Sequence, residues 1–174
     1  MKTIVLGGGC FWCVEAVFQR VNGVESVVSG YAGGGTDLTP SYNDLHTGKH
    51  GHAEVIEITY NENILSLDTI FEMFFYTHDP TTLNQPGTAD MGEEYRSIIL
   101  CSADELEKAE AAKADANELW DGKVMTEVKV IDKFYPAEDS HQNFYNENPG
   151  AGYCQVIINP KVAKFEKKFA EYLK

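Results

Sequence analysis

The chain has 174 residues, enough for one domain with a substantial core, and its 43% hydrophobic and 24% charged residues exclude wholesale disorder. Its formal net charge is -13, which repels phosphate backbones and anionic membranes and argues against nucleic-acid binding. No apolar run reaches the roughly 20 residues of a membrane span, and the apolar part of MKTIVLGGG is too short for a signal peptide. We expect a single domain, residues 1–174, working as a cytoplasmic monomer.

Strands and helices alternate along the first part of the chain. The apolar run TIVLGG predicts a first strand, and the apolar residues after Cys10 recur at helical spacing up to a stop at Asn22-Gly23. VESVVSGYAGG and HAEVIEITY predict the second and third strands. Ser66 can cap a second helix, and RSIILCS predicts a fourth strand. The order βαββαβ is that of the split βαβ arrangement of ferredoxin-like folds.

The rest of the chain is predicted to hold a helix, a strand, an irregular segment and a last helix. Ser102 and Glu105 form a capping-box pattern ahead of the helix, and VMTEVKVID predicts a fifth strand. Residues 134–155 show no period, which predicts a long functional loop. Asn159-Pro160 fits the start of the last helix. The predicted fold is α+β, a ferredoxin-like two-layer α/β sandwich with a long irregular C-terminal segment and a C-terminal helix.

Two cysteines, Cys10 and Cys13, stand behind three glycines at the predicted start of the first helix. Helix N-termini and Cys-x-x-Cys pairs lower the pKa of a thiol below roughly 8.5, so Cys10 is a candidate nucleophile and Cys13 a candidate disulfide partner. The spacing is also that of a thioredoxin-type redox pair, of half a zinc site or of two structural thiols. A zinc site lacks a second ligand pair, since Cys101 and Cys154 stand alone, whereas the thioredoxin-type reading stays open on spacing.

Several ionisable or hydroxyl side chains are candidates for acid chemistry. The alternation of HAEVIEITY puts Glu54 on the same side as the two isoleucines. Such a carboxyl loses hydration, which raises its pKa and lets it donate a proton near neutral pH. The alternative is a Glu54 that lies partly wet or salt-bridged and does no chemistry. Asp90, Tyr42 and Tyr95 fall in or beside loops, where catalytic groups concentrate, although a tyrosine is more often a packing residue.

Seven motifs occur together in the order of one known family: GGGCFWCVE, PSYNDLHTG, GHAE, HDP, GEEYRS, AEDSHQNF and NPGAGYC. The sequence resembles peptide-methionine sulfoxide reductase A over nearly its whole length. The resemblance implies an α/β sandwich that reduces the S epimer of methionine sulfoxide, in proteins or free. It also implies no bound cofactor or metal, and regeneration by an external dithiol, thioredoxin.

The resemblance further implies a role for each motif residue. Sulfoxide reduction needs a thiolate that adds to sulfur, an acid that protonates the oxygen and a pocket for the methyl group. The matching residues are Cys10 as nucleophile, Glu54 as proton donor, Tyr42 and Tyr95 as hydroxyls that hydrogen-bond the oxygen, Asp90 as the acid that orders this network, and Phe11 with Trp12 as the methyl pocket.

Regeneration of the nucleophile requires a second thiol, because turnover leaves Cys10 as a sulfenic acid that another thiol converts to a disulfide. Cys154, in GYC, matches the resolving cysteine of the family, on a glycine-rich movable tail. Cys13 stands where the most familiar members have glycine, so the chain has two candidate resolving thiols, and we predict that both take part. Cys101, within an apolar strand, is predicted to be an inert core residue.

Overall fold

The computed structural model describes residues 1–34, 51–82 and 92–174, which form one sheet with helices packed against it. The strands are β1 (Lys2–Gly7), β2 (Val24–Ala32), β3 (Ala53–Tyr60), β4 (Ile98–Cys101), β5 (Glu127–Val130) and β6 (Phe134–Pro136). The helices are α1 (Phe11–Phe18), α2 (Leu67–Thr77), α3 (Leu106–Leu119), α4 (Phe144–Glu147) and α5 (Asn159–Lys168), with a π-helical turn (Cys154–Ile158) before α5. Within the described ranges, no helix combines the length and the apolar character needed to cross a membrane.

The six strands are ordered β5-β4-β1-β3-β2-β6, with β4 and β5 parallel and the other neighbours antiparallel. β3 lies between β1 and β2, and β1 lies between β3 and β4, so each βαβ unit is split by a strand of the other. The predicted mixture of helices and sheet in an α/β sandwich is confirmed. The ferredoxin-like assignment stays a prediction, since β5 and β6 extend the sheet at both edges.

The two faces of the sheet bury different apolar residues. On one face, Ile4 and Leu6 of β1 and Ile56 of β3 join a large core with the apolar sides of the long helices. On the other face, Val5 and Val55 join a smaller cluster. This alternation follows from the two-residue period of a strand. The helical layer therefore carries most of the core and brings α1 against the strands.

Caps fix the starts of two helices as predicted. The Ser66 hydroxyl accepts the Thr69 N–H at 3.1 Å ahead of α2. Ser102 and Glu105 form the predicted capping box, which opens a 3₁₀ turn that leads into α3. The end predicted for the first helix is wrong, because α1 stops at Phe18 and the chain then tightens into bonds between residues three apart.

The prediction of one continuous irregular loop over residues 134–155 is wrong in part, because short regular elements interrupt the segment. This stretch contains β6, which pairs with the edge of β2, and the short helix α4. The predicted cap at Asn159 is also wrong, because its backbone is helical (φ -52°, ψ -48°) and continues the π turn. The π turn lies just before Pro160, a residue that has no N–H to donate to the carbonyl four residues earlier, as other helical residues do.

Candidate active site

Three glycines carry the chain from β1 to the start of α1. A Cβ on Gly7 would lie 2.9 Å from the carbonyl oxygen of Glu54, and one on Gly8 would lie 2.9 Å from the ring of His78. Gly9 has φ 89°, a left-handed conformation that favours glycine. The run of glycines is thus required by close packing on both sides and by a tight turn.

Cys10 occupies the N-cap of α1, directly after this turn. Its backbone is extended (φ -64°, ψ 129°), and its carbonyl accepts the Cys13 N–H at 3.1 Å. Its residue surface is 6% exposed. The N–H groups and the dipole of the first helical turn favour a negative charge at this position. The structure therefore places the predicted nucleophile where a thiolate is stabilised.

Glu54 lies beside the start of the same helix. It is 1% exposed, and its Oε1 accepts the Phe11 N–H at 3.1 Å. Its predicted orientation toward the core is confirmed, and the alternative of a partly wet side chain is wrong. The hydrogen bond fixes the carboxyl next to the residue that follows Cys10.

Phe11 and Trp12 form an aromatic surface beneath residues 138–147, which we call the covering segment. The Phe11 ring lies 5.8 Å from that of Tyr31 and 5.6 Å from that of His141. Trp12 stacks on Phe144, with 3.7 Å between ring centroids and 6° between planes. Its Nε1–H donates to His141 Nδ1 at 3.2 Å. The predicted pocket residues are thus in contact with a part of the chain distant in sequence.

Sequence reasoning missed several residues that organise this surface. The Tyr31 hydroxyl donates to Glu138 Oε1 at 3.0 Å, and Tyr31 pairs with Glu54 across β2 and β3. Burial lowers the pKa of His141, against an opposing effect of Glu138, and favours the neutral ring that accepts from Trp12. Glu15 accepts the backbone N–H of Phe144. Glu15 belongs to the motif GGGCFWCVE, and Glu138, His141 and Phe144 belong to AEDSHQNF, but no local period indicates that these residues and Tyr31 meet.

The other cysteines surround α1 or lie in the sheet. Cys13 lines a cavity of about 1270 Å³ among the long helices, and its Sγ lies 3.9 Å from the Tyr153 hydroxyl. Cys154 is fully buried in the π turn; burial raises the pKa of its thiol, and the nearby Cys13 adds to this effect. Burial raises the pKa of Cys101 to about 11. All four cysteines are described, and each is a thiol in the structure.

The remaining predicted site residues are only partly described. Tyr95 is 8% exposed and ends a 3₁₀ turn (Glu93–Tyr95) that packs against β3. Tyr42 and Asp90 lie outside the described residues. Across residues 1–34, 51–82 and 92–174, no group of three or more His, Cys, Asp or Glu side chains is arranged to hold a metal ion.

Comparison with known proteins gives the same result in sequence and in structure. The profile of the family described as "Peptide methionine sulfoxide reductase" matches residues 2–173. The chain is 49% identical over 174 residues to the peptide methionine sulfoxide reductase MsrA of Paenarthrobacter aurescens, covering 99% of each chain. It is similar to reduced Mxr1 from Saccharomyces cerevisiae, with a TM-score of 0.78 and 30% identity over 89% of this chain and 90% of that one.

A second solved structure is that of Mxr1 from Saccharomyces cerevisiae in complex with Trx2. It aligns with a TM-score of 0.57 and 27% identity, over 80% of this chain and 83% of that one. The family profile and the Paenarthrobacter relative both span nearly all of this sequence. The chain therefore belongs to the peptide methionine sulfoxide reductase family.

Proposed function

We propose that the chain reduces the S epimer of methionine sulfoxide, free or within proteins, to methionine. Membership of the family supports the reaction class. The observation that carries the residue assignment is the 3.1 Å hydrogen bond from the Phe11 N–H to Glu54 Oε1. It sets a buried acid beside the helix N-terminus that bears Cys10.

In the first step, the Cys10 thiolate attacks the sulfoxide sulfur while Glu54 gives a proton to the oxygen. A neutral carboxyl can accept the Phe11 N–H on Oε1 and carry its own proton on Oε2. The oxygen passes to the sulfur of Cys10, methionine leaves, and Cys10 becomes a sulfenic acid. Two electrons have then moved from the enzyme thiol to the substrate sulfur.

The neighbours of this pair orient the substrate. We assign Phe11 and Trp12 to the terminal methyl group, because their rings lie directly after Cys10 on α1. Tyr95 and Tyr42 hydrogen-bond the sulfoxide oxygen, and Asp90 orders that network. The buried position of Tyr95 against β3, the strand that bears Glu54, supports its part, whereas the parts of Tyr42 and Asp90 rest on the family motifs.

Regeneration proceeds through two thiols. Cys13 lies one helical turn after Cys10. Its thiol attacks the sulfur of the sulfenic acid, so that the Cys10–Cys13 disulfide forms and water is released. Cys154 then attacks Cys13, which frees Cys10 and leaves a Cys13–Cys154 disulfide. The electrostatic influence of Cys13 on the Cys154 thiol supports the pairing of these two cysteines, because it requires the two groups to be near each other.

An external dithiol of the thioredoxin class closes the cycle by thiol–disulfide exchange. The solved complex of yeast Mxr1 with Trx2 supports this partner. The cavity lined by Cys13 supports attack from that side of α1, between the long helices. We further propose a cytoplasmic monomer of one domain with no bound cofactor. The single sheet of the described residues supports one domain, and the acidic composition supports the monomer.

The proposal is tested by incubating the protein with dithiothreitol and each epimer of a methionine sulfoxide peptide, following loss of oxygen by mass. We expect turnover of the S epimer alone. Cys10→Ser should abolish it, while the control Cys101→Ser should leave it unchanged. Absence of turnover with both epimers would refute the assignment.

Glu54 separates this reaction from general dithiol exchange of the thioredoxin type. Glu54→Ala should lose most sulfoxide reduction and Glu54→Gln should keep part of it, while reduction of a plain disulfide would not need this acid. Rates near those of the parent for both variants would remove the acid role.

The order of the thiols is tested by trapping the oxidised protein and mapping its disulfides by mass spectrometry. We expect Cys10–Cys13 in the Cys154→Ser variant and Cys13–Cys154 in the parent. If Cys13→Ser recycles with thioredoxin at the parent rate, Cys13 is only a packed thiol.

A further inference from the structure

A buried carboxyl group joins α1 to the covering segment. Glu15 is 1% exposed on the inner side of α1, where its Oε2 accepts the Ser29 hydroxyl at 3.1 Å. Its Oε1 accepts the Phe144 N–H at 3.1 Å, across 129 residues of sequence. These partners are neutral donors, so the carboxylate holds the segment through hydrogen bonds.

The donors favour an ionised Glu15. An N–H can only donate, and a carboxylate accepts from it more strongly than a neutral acid does. Burial is the largest effect and raises the pKa of Glu15 overall, while bonds from the Asn143 and Phe144 backbone and from the Ser29 hydroxyl offset it in part. The position therefore requires an acceptor on both oxygens, which aspartate is too short to supply and glutamine can supply on one side only.

The residue held by Glu15 is also the one whose ring stacks most closely on Trp12. The Phe144 N–H bonds to Glu15, while the Phe144 ring stacks on the indole at 3.7 Å. Ser29, the other partner of Glu15, also fixes the segment through its backbone: its N–H donates to Gln142 at 2.9 Å, and its carbonyl accepts from Gln142 at 2.8 Å. The buried carboxylate thus lies at the centre of the attachment.

We propose that Glu15 is a positioning residue: its carboxylate holds Phe144, and through Phe144 it sets the orientation of the Trp12 ring that receives the substrate. The kinetic part of this inference rests on the proposed function. Its conformational part concerns Trp12 alone and stands whether or not the chain turns over sulfoxide.

The conformational test uses fluorescence in a Trp120→Phe background, which leaves Trp12 as the single tryptophan of the sequence. Glu15→Gln should raise quenching of Trp12 by acrylamide and shift its emission to the red, because the stacked ring becomes more exposed. The matched control is Glu105→Gln, a second buried glutamate, which bonds to Ser102 instead. It should leave the Trp12 signal as in the parent.

The kinetic test compares the same variants with the sulfoxide peptide. Loss of one charge-assisted hydrogen bond should lower kcat/KM of Glu15→Gln about tenfold, mostly through KM, because the Trp12 surface binds the substrate before and during reaction. Glu105→Gln should keep both constants.

A third variant keeps the inference testable if Glu15→Gln folds poorly. Phe144→Leu removes only the half-buried ring that stacks on Trp12. It should reproduce the rise in KM and in quenching, and the double variant should add little, because both changes break one connection. The proposal would be overturned if Trp12 quenching and KM stay at parent values in Phe144→Leu. It would also be overturned if the effects of the two single variants add fully in the double variant. If the parent does not reduce the sulfoxide peptide but Trp12 quenching changes in the variants as expected, only the proposed function is refuted.

Discussion

His78 should make the stability of the protein depend on pH in a defined window. The ring is buried behind Gly8, and its Nδ1 lies 2.8 Å from the Phe74 carbonyl oxygen while its Nε2 lies 2.7 Å from the Ser97 hydroxyl. Since a carbonyl only accepts, Nδ1 carries the hydrogen, and Nε2 accepts from Ser97. Because the single Ser97 hydroxyl hydrogen is donated to His78, Ser97 accepts from the Thr126 hydroxyl at 2.7 Å. The neutral ring fits this chain of bonds.

The magnitude follows from the pKa. Burial lowers the pKa of His78 from 6.5 to about 4; the bond to Phe74 and the charge of Asp79 oppose this, and Lys161 reinforces it. Between these two values the unfolded chain binds more protons than the folded protein, so stability rises with pH there and is lost as pH falls from 6.5 toward 4. The full loss is about 3 kcal/mol, of which about 2 kcal/mol falls between pH 7 and pH 5.

The assay is urea unfolding of the parent and of His78→Asn at steps from pH 7 to pH 5. The free energy of unfolding of the variant should fall by about 2 kcal/mol less than that of the parent over this interval, because the ionisable ring is gone. Ser97→Ala is the matched control, because it removes a hydrogen bond to the ring but keeps the ionisable group. It should retain most of the pH dependence, and equal slopes for the parent and His78→Asn would refute the reasoning.

Three further predictions concern other parts of the fold. Gly30→Ala should lower the free energy of unfolding, measured in urea, by about 2 kcal/mol, because its Cβ would lie 2.4 Å from a β6 carbonyl oxygen. The control Gly150→Ala, at a position with open space around it, should leave this free energy unchanged. Cys101 should resist a thiol reagent at pH 8 in the native state, since its pKa is about 11, and fast labelling there would contradict its burial. Burial tends to raise the pKa of Glu127, but its bonds to Lys129 and Arg96 lower it overall. Glu127→Gln should therefore lower the free energy of unfolding by about 1 kcal/mol at pH 7, and this difference from the parent should shrink as pH falls below 4.5.

Local signals in the sequence were sufficient where neighbours along the chain determine structure. The Ser66 cap and the Ser102–Glu105 capping box were predicted correctly, because a cap depends on residues three positions apart. The alternation in β3 placed Glu54 toward the core, because the two-residue period of a strand is also a local signal. The position of Cys10 at a helix start followed from the glycines before it.

The residues around Trp12 could not be predicted in this way. Phe144 and His141 reach it across more than a hundred residues, and three-residue β6 is too short to show a period. Glu15 belongs to the motif GGGCFWCVE, yet its carboxylate bonds to a donor supplied by a distant segment. Nonlocal hydrogen bonds leave no pattern within a single window of sequence.

The packing of α1 has a consequence for biosynthesis. Its Phe18 lies 6.3 Å from Phe165 between ring centroids, and the loop after it bonds to Tyr172, while Trp12 is covered by Phe144. A nascent chain that has released only α1 and β1 to β4 has none of these partners. The helix that begins at Cys10 can therefore complete its packing only after residue 172 has left the ribosome, and not while the first strands assemble.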